Sequence, residues 1–248
     1  MDKFLYISMT GAKQNMQALA VRANNLANAN TDGFKADLNQ ARSMQAFGEG
    51  LPSRVFAMTE KPASSFKPGP IVTTGRDLDV AIKGDGWIAV EDADGNEAYS
   101  RAGSLSFDSF GMVKNSHGDP VVGENGAPII LPLPIRKIDI GSDGMISVQP
   151  LGATPEVNVE VARIKLVNPG NDQMLRGDDG LFRTMDGTTP DPDPAVTLAN
   201  GAIEGSNVNP IHEMTALIDL QRQFELQMKM MKAADDNDKA SASLLRVS

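Results

Sequence analysis

The sequence predicts a mixed α and β protein: long N- and C-terminal helices pairing as a coiled-coil-like layer, with a central, mainly-β domain. Three observations carry this. All 15 prolines lie between Pro52 and Pro210, and of 23 glycines only Gly11 and Gly33 come early and none follows Gly205. Both residue types punctuate turns and are poor in helix interiors. Each proline-free end carries a seven-residue apolar repeat. The middle instead alternates apolar and polar residues between frequent turn signals. The division expected is 1–40 helical, 41–75 an extended connector, 76–205 a β domain and 206–248 helical.

At the amino end, Leu5, Met9, Ala12, Met16, Leu19, Ala23 and Leu26 alternate spacings of four and three, one seam of a helix. Ala12 and Ala23 are small, so a partner can approach closely there. Asn28 to Gly33 then stops the pattern, because Asn tolerates the left-handed conformation and Asp-Gly favours a turn. The helix is expected over 3–28, about 39 Å long.

Residues 46–75 offer few apolar pairs and read as extended. Val157, Val159 and Val161 then alternate with polar residues before the phase changes to Ala162, Ile164 and Leu166, so a bulge is expected near 161–162. Asp79–Val90 reads as two strands about Gly84-Asp85-Gly86, with Trp87 in the core. Turns are signalled at Asp94-Gly95, Gly118-Asp119, Asn125-Gly126 and Asp143-Gly144, a frequency that suits an all-β sandwich or barrel-like domain.

At the carboxyl end, Asn209 can cap a helix that starts at Pro210, and Glu213 sits near its positive end. Met214, Leu217, Gln221, Phe224, Met228 and Met231 continue a three/four spacing over a helix of 211–245, near 50 Å. The Met-rich stretch 228–231 suits a face that meets several non-identical neighbours, since thioethers adapt to irregular contacts.

Composition removes whole classes of function. There is no cysteine, hence no disulfide, thiolate metal site or thiol nucleophile. His117 and His212 are the only histidines, one in a turn and one beside a helix start. The net charge of −9 argues against nucleic acid, and residues between the two ends carry −10 of it. No apolar run reaches membrane-span length, and the start does not read as a secretory signal. Gly84-Asp85-Gly86 lacks the rest of a phosphate loop, and Asp92–Asn96 reads as a hairpin turn with solvated carboxylates. Asp178-Asp179 and the Asp191/Asp193 pair lie in polar turns. No catalytic residue, metal site or cofactor is expected.

Three motifs carry a resemblance. Ala23 to Asn28, including Asn24, Asn25 and Asn28, followed by Thr31 to Lys35 with Gly33 and Phe34, resembles the amino-terminal signature of bacterial flagellar basal-body rod and hook proteins. Leu78 to Trp87, with Gly84 and Gly86, is similar to their central motif, where Phe more often fills the Trp position. Gly201 to Asn209, with Ser206, Asn207 and Asn209, then Glu213-Met214 and Arg222 to Glu225, resembles their carboxyl-terminal signature. Phe47 to Val55 with Gly75 to Leu78 is most similar to the proximal-rod branch.

The resemblance implies a structural subunit of the rod, part of the drive shaft that crosses the periplasm and carries torque for motility. It implies terminal helices paired in an inner tube with the β domain outside. The implied partners are other rod subunits, copies of itself and the flagellar type III export apparatus, with no cleaved signal, membrane insertion or nucleic acid. The seam residues of both helices, from Leu5 to Leu26 and from Met214 to Met231, are the expected assembly interface. A distal-rod or hook-type paralogue is the near alternative. A secreted β-domain binding protein with a coiled-coil stalk is the remote one.

Overall fold

The computed structural model describes residues 3–39, 41–45, 55–59, 63–151, 158–170 and 173–246. The chain forms two compact units: Met1–Ala29, Asp37–Ser65 and Val208–Ser248 make one, Asn30–Ala36 and Phe66–Asn207 the other.

The first unit holds both helices. Helix α1 spans Lys3–Ala27, and its end is closed by Asn28, whose backbone N–H and side-chain amide both donate to the Asn24 carbonyl at 3.1 and 2.9 Å. Helix α2 spans Pro210–Arg246. Asn209 Oδ1 accepts from the backbone N–H of Ile211 and His212 at 3.1 and 3.2 Å, covering amides that have no partner within the helix. The helices touch in opposite directions: Arg22 bonds Glu213 at 2.9 Å, and a Cβ on Gly11 would lie 3.1 Å from the Gln227 side chain. Within the segment read as connector, β2 (Ala41–Gln45) pairs antiparallel with β3 (Val55–Thr59). A shorter pair joins β1 (Asp37–Leu38) to β4 (Ala63–Ser64).

The second unit is a β body of several antiparallel sheets. Strand β5 (Ile71–Thr73) pairs with β18 (Ala202–Glu204), and β6 (Val80–Lys83) with β17 (Thr197–Asn200). A five-stranded sheet runs β14 (Leu166–Val167), β7 (Trp87–Glu91), β8 (Glu97–Ser100), β16 (Phe182–Thr184), β15 (Met174–Arg176). Strand β9 (Ser106–Phe107) pairs with β10 (Val113–Lys114). A three-stranded sheet joins β11 (Ile135–Ile140), β12 (Met145–Pro150) and β13 (Val159–Arg163). The expected bulge is present: Ile146 faces Ala162 and Ser147 faces Glu160, leaving Val161 unpaired. The two strands expected about Gly84-Asp85-Gly86 are also present, but they do not form a hairpin. They enter different sheets, and Gly86, at φ 134°, makes the crossing where a Cβ would lie 2.7 Å from Val196.

Strand β7 is apolar on both faces because both are buried. Ile88 and Val90 enter a large aliphatic core with Leu105, Val121, Ile140 and Ile146. Trp87 and Ala89 face a second cluster with Tyr99, Val167, Met174 and Phe182. The Trp87 ring lies 4.5 Å from that of Phe182 and edge-on to Phe66 at 6.0 Å.

One expectation needs correction. Asp92 is not a solvated turn carboxylate; it is buried. Its Oδ1 accepts from the Asp94 and Asn96 amides at 2.9 and 2.8 Å, and its Oδ2 accepts from Arg183 at 2.7 Å. The same guanidinium bonds Asp179 at 2.6 Å. Burial pushes the Asp92 pKa up, but Arg183 and the two turn amides outweigh it and hold the group below its ordinary value. The Arg183 hydrogen bond likewise lowers Asp179. Depressed carboxylate pKa values stabilise the fold above the unfolded value of about 3.9 and lose that contribution as pH falls through the folded values. The thermal midpoint should therefore be steady near neutrality and drop below about pH 4. The drop should be shallower in Asp92→Asn when melting is followed by circular dichroism, and an unchanged acid limb would count against the network.

Candidate functional site

The expected helix seam divides in two. Ala12 is buried and Leu19, Leu26, Leu217, Phe224 and Met231 are half-buried. Met9, Met16, Met214 and Met228 are 47 to 60% exposed, Ala23 is exposed, and the Leu5 side chain lies outside the described residues. The covered stripe is rotated from the expected one. On α1 it runs through Ser8, Ala12, Leu19 and Asn25, and on α2 through Glu213, Leu217, Leu220, Phe224, Gln227 and Met231. Outside it, Tyr6, Met9 and Met16 on α1 and Ile211, Met214, Ile218, Leu226, Met228 and Met230 on α2 leave apolar side chains open. Large apolar side chains left open along both helices point to an interaction face.

The motif residues have separate physical tasks. Asn25 is buried, and its amide pairs with the main chain of Asp37, donating to the carbonyl at 2.9 Å and accepting from the N–H at 2.8 Å. Asn24 and Asn28 end α1, and Asn209 starts α2. Gly84 and Gly86 turn the chain between sheets, both at positive φ.

In the β body, parts of the first and last signatures meet. Gly33 donates to the Glu204 carbonyl at 2.7 Å, Asn207 donates to the Phe34 carbonyl at 3.3 Å, and Asn207 Oδ1 accepts from the Ala36 N–H at 2.7 Å. Gly33 sits at φ 67°, and a Cβ there would fall 2.2 Å from the Arg101 carbonyl carbon, so no other residue fits. Phe34 is buried beneath the Arg176 guanidinium, 4.5 Å from ring centre to charge. Ser206 is buried alongside.

The centre of this junction is an ion cluster. Glu204 accepts from Lys35 Nζ at 2.6 Å, from the Gly69 N–H at 2.9 Å and, on its other oxygen, from Arg101 at 2.9 Å. The three side chains are at most 3% exposed. Lys35 Nζ also donates to the Lys67 carbonyl at 3.0 Å, and the Arg101 guanidinium lies 5.3 Å from the centre of the Trp87 ring. Burial pushes the Glu204 pKa up, yet Arg101 and Lys35 hold it below the ordinary carboxylate value. Burial lowers Lys35 and outweighs the raising effect of Glu204. Such a cluster can fix geometry. Among the described residues no grouping of acids and histidines could hold a metal ion.

Lys35 and Glu204 lie inside the stretches Thr31 to Lys35 and Gly201 to Asn209, but nothing local marks either of them, or Arg101, for this role. In the fold, Ala202, Glu204, Ser206 and Val208 alternate as buried positions, which places Glu204 on an inward face. What faces it comes from more than 100 residues away, and no local pattern reports that.

Comparison with known proteins agrees with the architecture. Residues 5–35 match the flagella basal body rod protein family. Residues 81–148 match the flagellar hook protein FlgE/F/G D1 domain, and 199–244 the flagellar basal body rod FlgEFG protein C-terminal family. The flagellar basal-body rod protein FlgF of Escherichia coli K12 is 40% identical over 254 residues, covering 100% of both chains. Its counterpart in Salmonella typhimurium LT2 is 39% identical with the same coverage. That of Caulobacter vibrioides is 35% identical over 93% of each chain. Helical ends, a β body and three ordered matches define the class as an axial component of the flagellar basal body. Within it, the chain belongs to the FlgF family of rod proteins.

Proposed function

We propose that this structural rod subunit polymerises, with its relatives and with copies of itself, into the proximal part of the axial shaft that crosses the periplasm and passes motor torque outward. The observation that carries the reading is the open apolar face on both helices. One row of each helix is already covered within the chain, and the second row needs neighbours. The expected interface set from Leu5 to Met231 therefore serves two contacts: the inward members form a coiled-coil-like pair and the outward members join adjacent subunits. In functional terms 1–40 and 206–248 are the axial segments, 41–75 the connector and 76–205 the outer domain. Contacts that repeat by a rotation without closure give an open helical assembly, as a shaft requires.

The energetics favour ordering on assembly. Each fully buried Leu, Met or Phe contributes about 1.5–3 kcal/mol, while ordering the backbone costs roughly 1–2 kcal/mol per residue. Within one chain this balance is close, so the helical ends fray in the monomer and stiffen in the rod. The same reading has the chain leave the cytosol unfolded through the flagellar type III export apparatus, a route supported by the resemblance to rod proteins. The acidity of the central region keeps unassembled subunits apart.

Leu19→Asp or Phe224→Asp should block incorporation and swimming with little change in the monomer's β signal by circular dichroism. The parallel measurement is cryo-electron microscopy of isolated basal bodies, which should place the unaltered subunit in the proximal rod. Normal rods from either variant would remove the seam role, and density in the distal rod or hook would favour the paralogous reading.

A further inference from the structure

The buried cluster is unbalanced: two cations, Lys35 and Arg101, surround one carboxylate, Glu204. The other buried carboxylates of the described body, Asp79 and Asp92, are engaged by arginines of their own, Arg76 and Arg183. Asp85, an exposed residue, adds the smallest of the contributions felt by Lys35. Arg101 has a second support in the Trp87 ring face, an interaction that attracts a cation even without a counter-ion. Lys35 donates to the Lys67 carbonyl and the Glu204 carboxylate, and burial is the largest influence on it. Segment 30–36 is seated on the body by one buried carboxylate, by the Gly33, Phe34 and Ala36 main-chain bonds, and by Phe34. Nearer the surface, Arg176 donates to the Lys35 carbonyl at 3.3 Å, and Asp32 accepts from the Ser104 N–H and the Ser116 hydroxyl at 3.3 and 2.9 Å.

We infer that Glu204 locks a separable strap: residues 30–36, the stretch that follows α1, dock on the β body only when Glu204 is seated to neutralise Lys35. Lys35 and Glu204 are 169 residues apart, so the lock closes only after strand β18 is made. Resting on the export reading, a chain emerging amino end first keeps the strap undocked until its last strand arrives. The strap is then fixed to the body as a final event, when α2 is about to follow. Removing one partner of a buried ion pair leaves an uncompensated charge, whereas removing the surplus charge does not. The two kinds of variant therefore have opposite effects.

The test is hydrogen exchange on the purified full-length chain, which does not depend on export or rod assembly. In Glu204→Gln the amides of Gly33, Ala36 and Asn207 should exchange at least tenfold faster. The amides of Ala89 and Val121, bonded to Lys165 and Val113 inside the body, should keep their protection. Lys35→Met should leave the strap as protected as in the natural chain, since Arg101 and Glu204 remain as a one-to-one pair. Adding Lys35→Met to Glu204→Gln should restore protection. The lock is overturned if Glu204→Gln leaves the strap closed, or if it opens or unfolds the body along with the strap. It is equally overturned if Lys35→Met opens the strap by itself, or if the double variant stays open. Strap opening in the single variant with closure in the double variant supports it even if rod localisation fails.

Discussion

Removal of residues 214–248 should abolish incorporation into the rod and swimming, while the β body keeps its fold. The deletion takes away all but the first turn of α2, and with it the covered positions Leu217, Leu220, Phe224, Gln227 and Met231. Helix α1 then loses its main packing partner, the helix that covers its apolar row. An isolated helix of that size is marginal in water. The body should be spared because its compact unit ends at Asn207 and both cores draw on strands before that point. The measurement is immunodetection of the truncated chain in isolated basal bodies, with motility in soft agar beside it. Near-ultraviolet circular dichroism of the purified truncation reports whether Trp87 remains in its packed site. Normal rods would end the role assigned to the carboxyl helix, and loss of the Trp87 signal would show that the body depends on α2.

The second large effect is on stability. Trp87→Ala should destabilise the body by about 3–5 kcal/mol, the cost of emptying a large aromatic site that relaxes only in part. Its ring fills the space between Phe66 and Phe182 and supports Arg101. Trp87→Phe should cost far less. The indole N–H is buried and meets no acceptor among the described residues, so the smaller ring removes an unsatisfied donor while it gives up some contact. Urea unfolding followed by far-ultraviolet circular dichroism measures both midpoints. Equal losses for the two variants would mean that the indole nitrogen has a partner in solution.

How much of this was legible before the fold was known depends on the range of the interaction involved. The cap of α2 was readable because Asn209 acts within three residues, on Ile211 and His212. The stop of α1 was placed by its asparagines, but Asn28 acts by bonding back to Asn24 and not through the left-handed conformation expected of it. The bulge at Val161 was readable because a strand's side-chain period is two and the sequence changes phase there. The seam was readable only in part. A seven-residue repeat locates an apolar face, but Met9 and Met16 show that the covered row depends on what the helix meets. Asp92 was misread because a turn of acids and glycine looks solvated unless one knows that Arg183, 91 residues on, closes over it.

By itself the sequence determined the two helical ends, the β character of the middle and the family signatures. Each follows from periodicity, caps or turn residues that act over a few positions. Only the tertiary structure decided which helix row is covered, that consecutive strands β6 and β7 enter different sheets, and that Lys35, Arg101 and Glu204 share one buried site. Those facts depend on pairings between distant residues. A charge drawn into the interior is stable only beside its counter-charge, and the folded chain alone brings the two together.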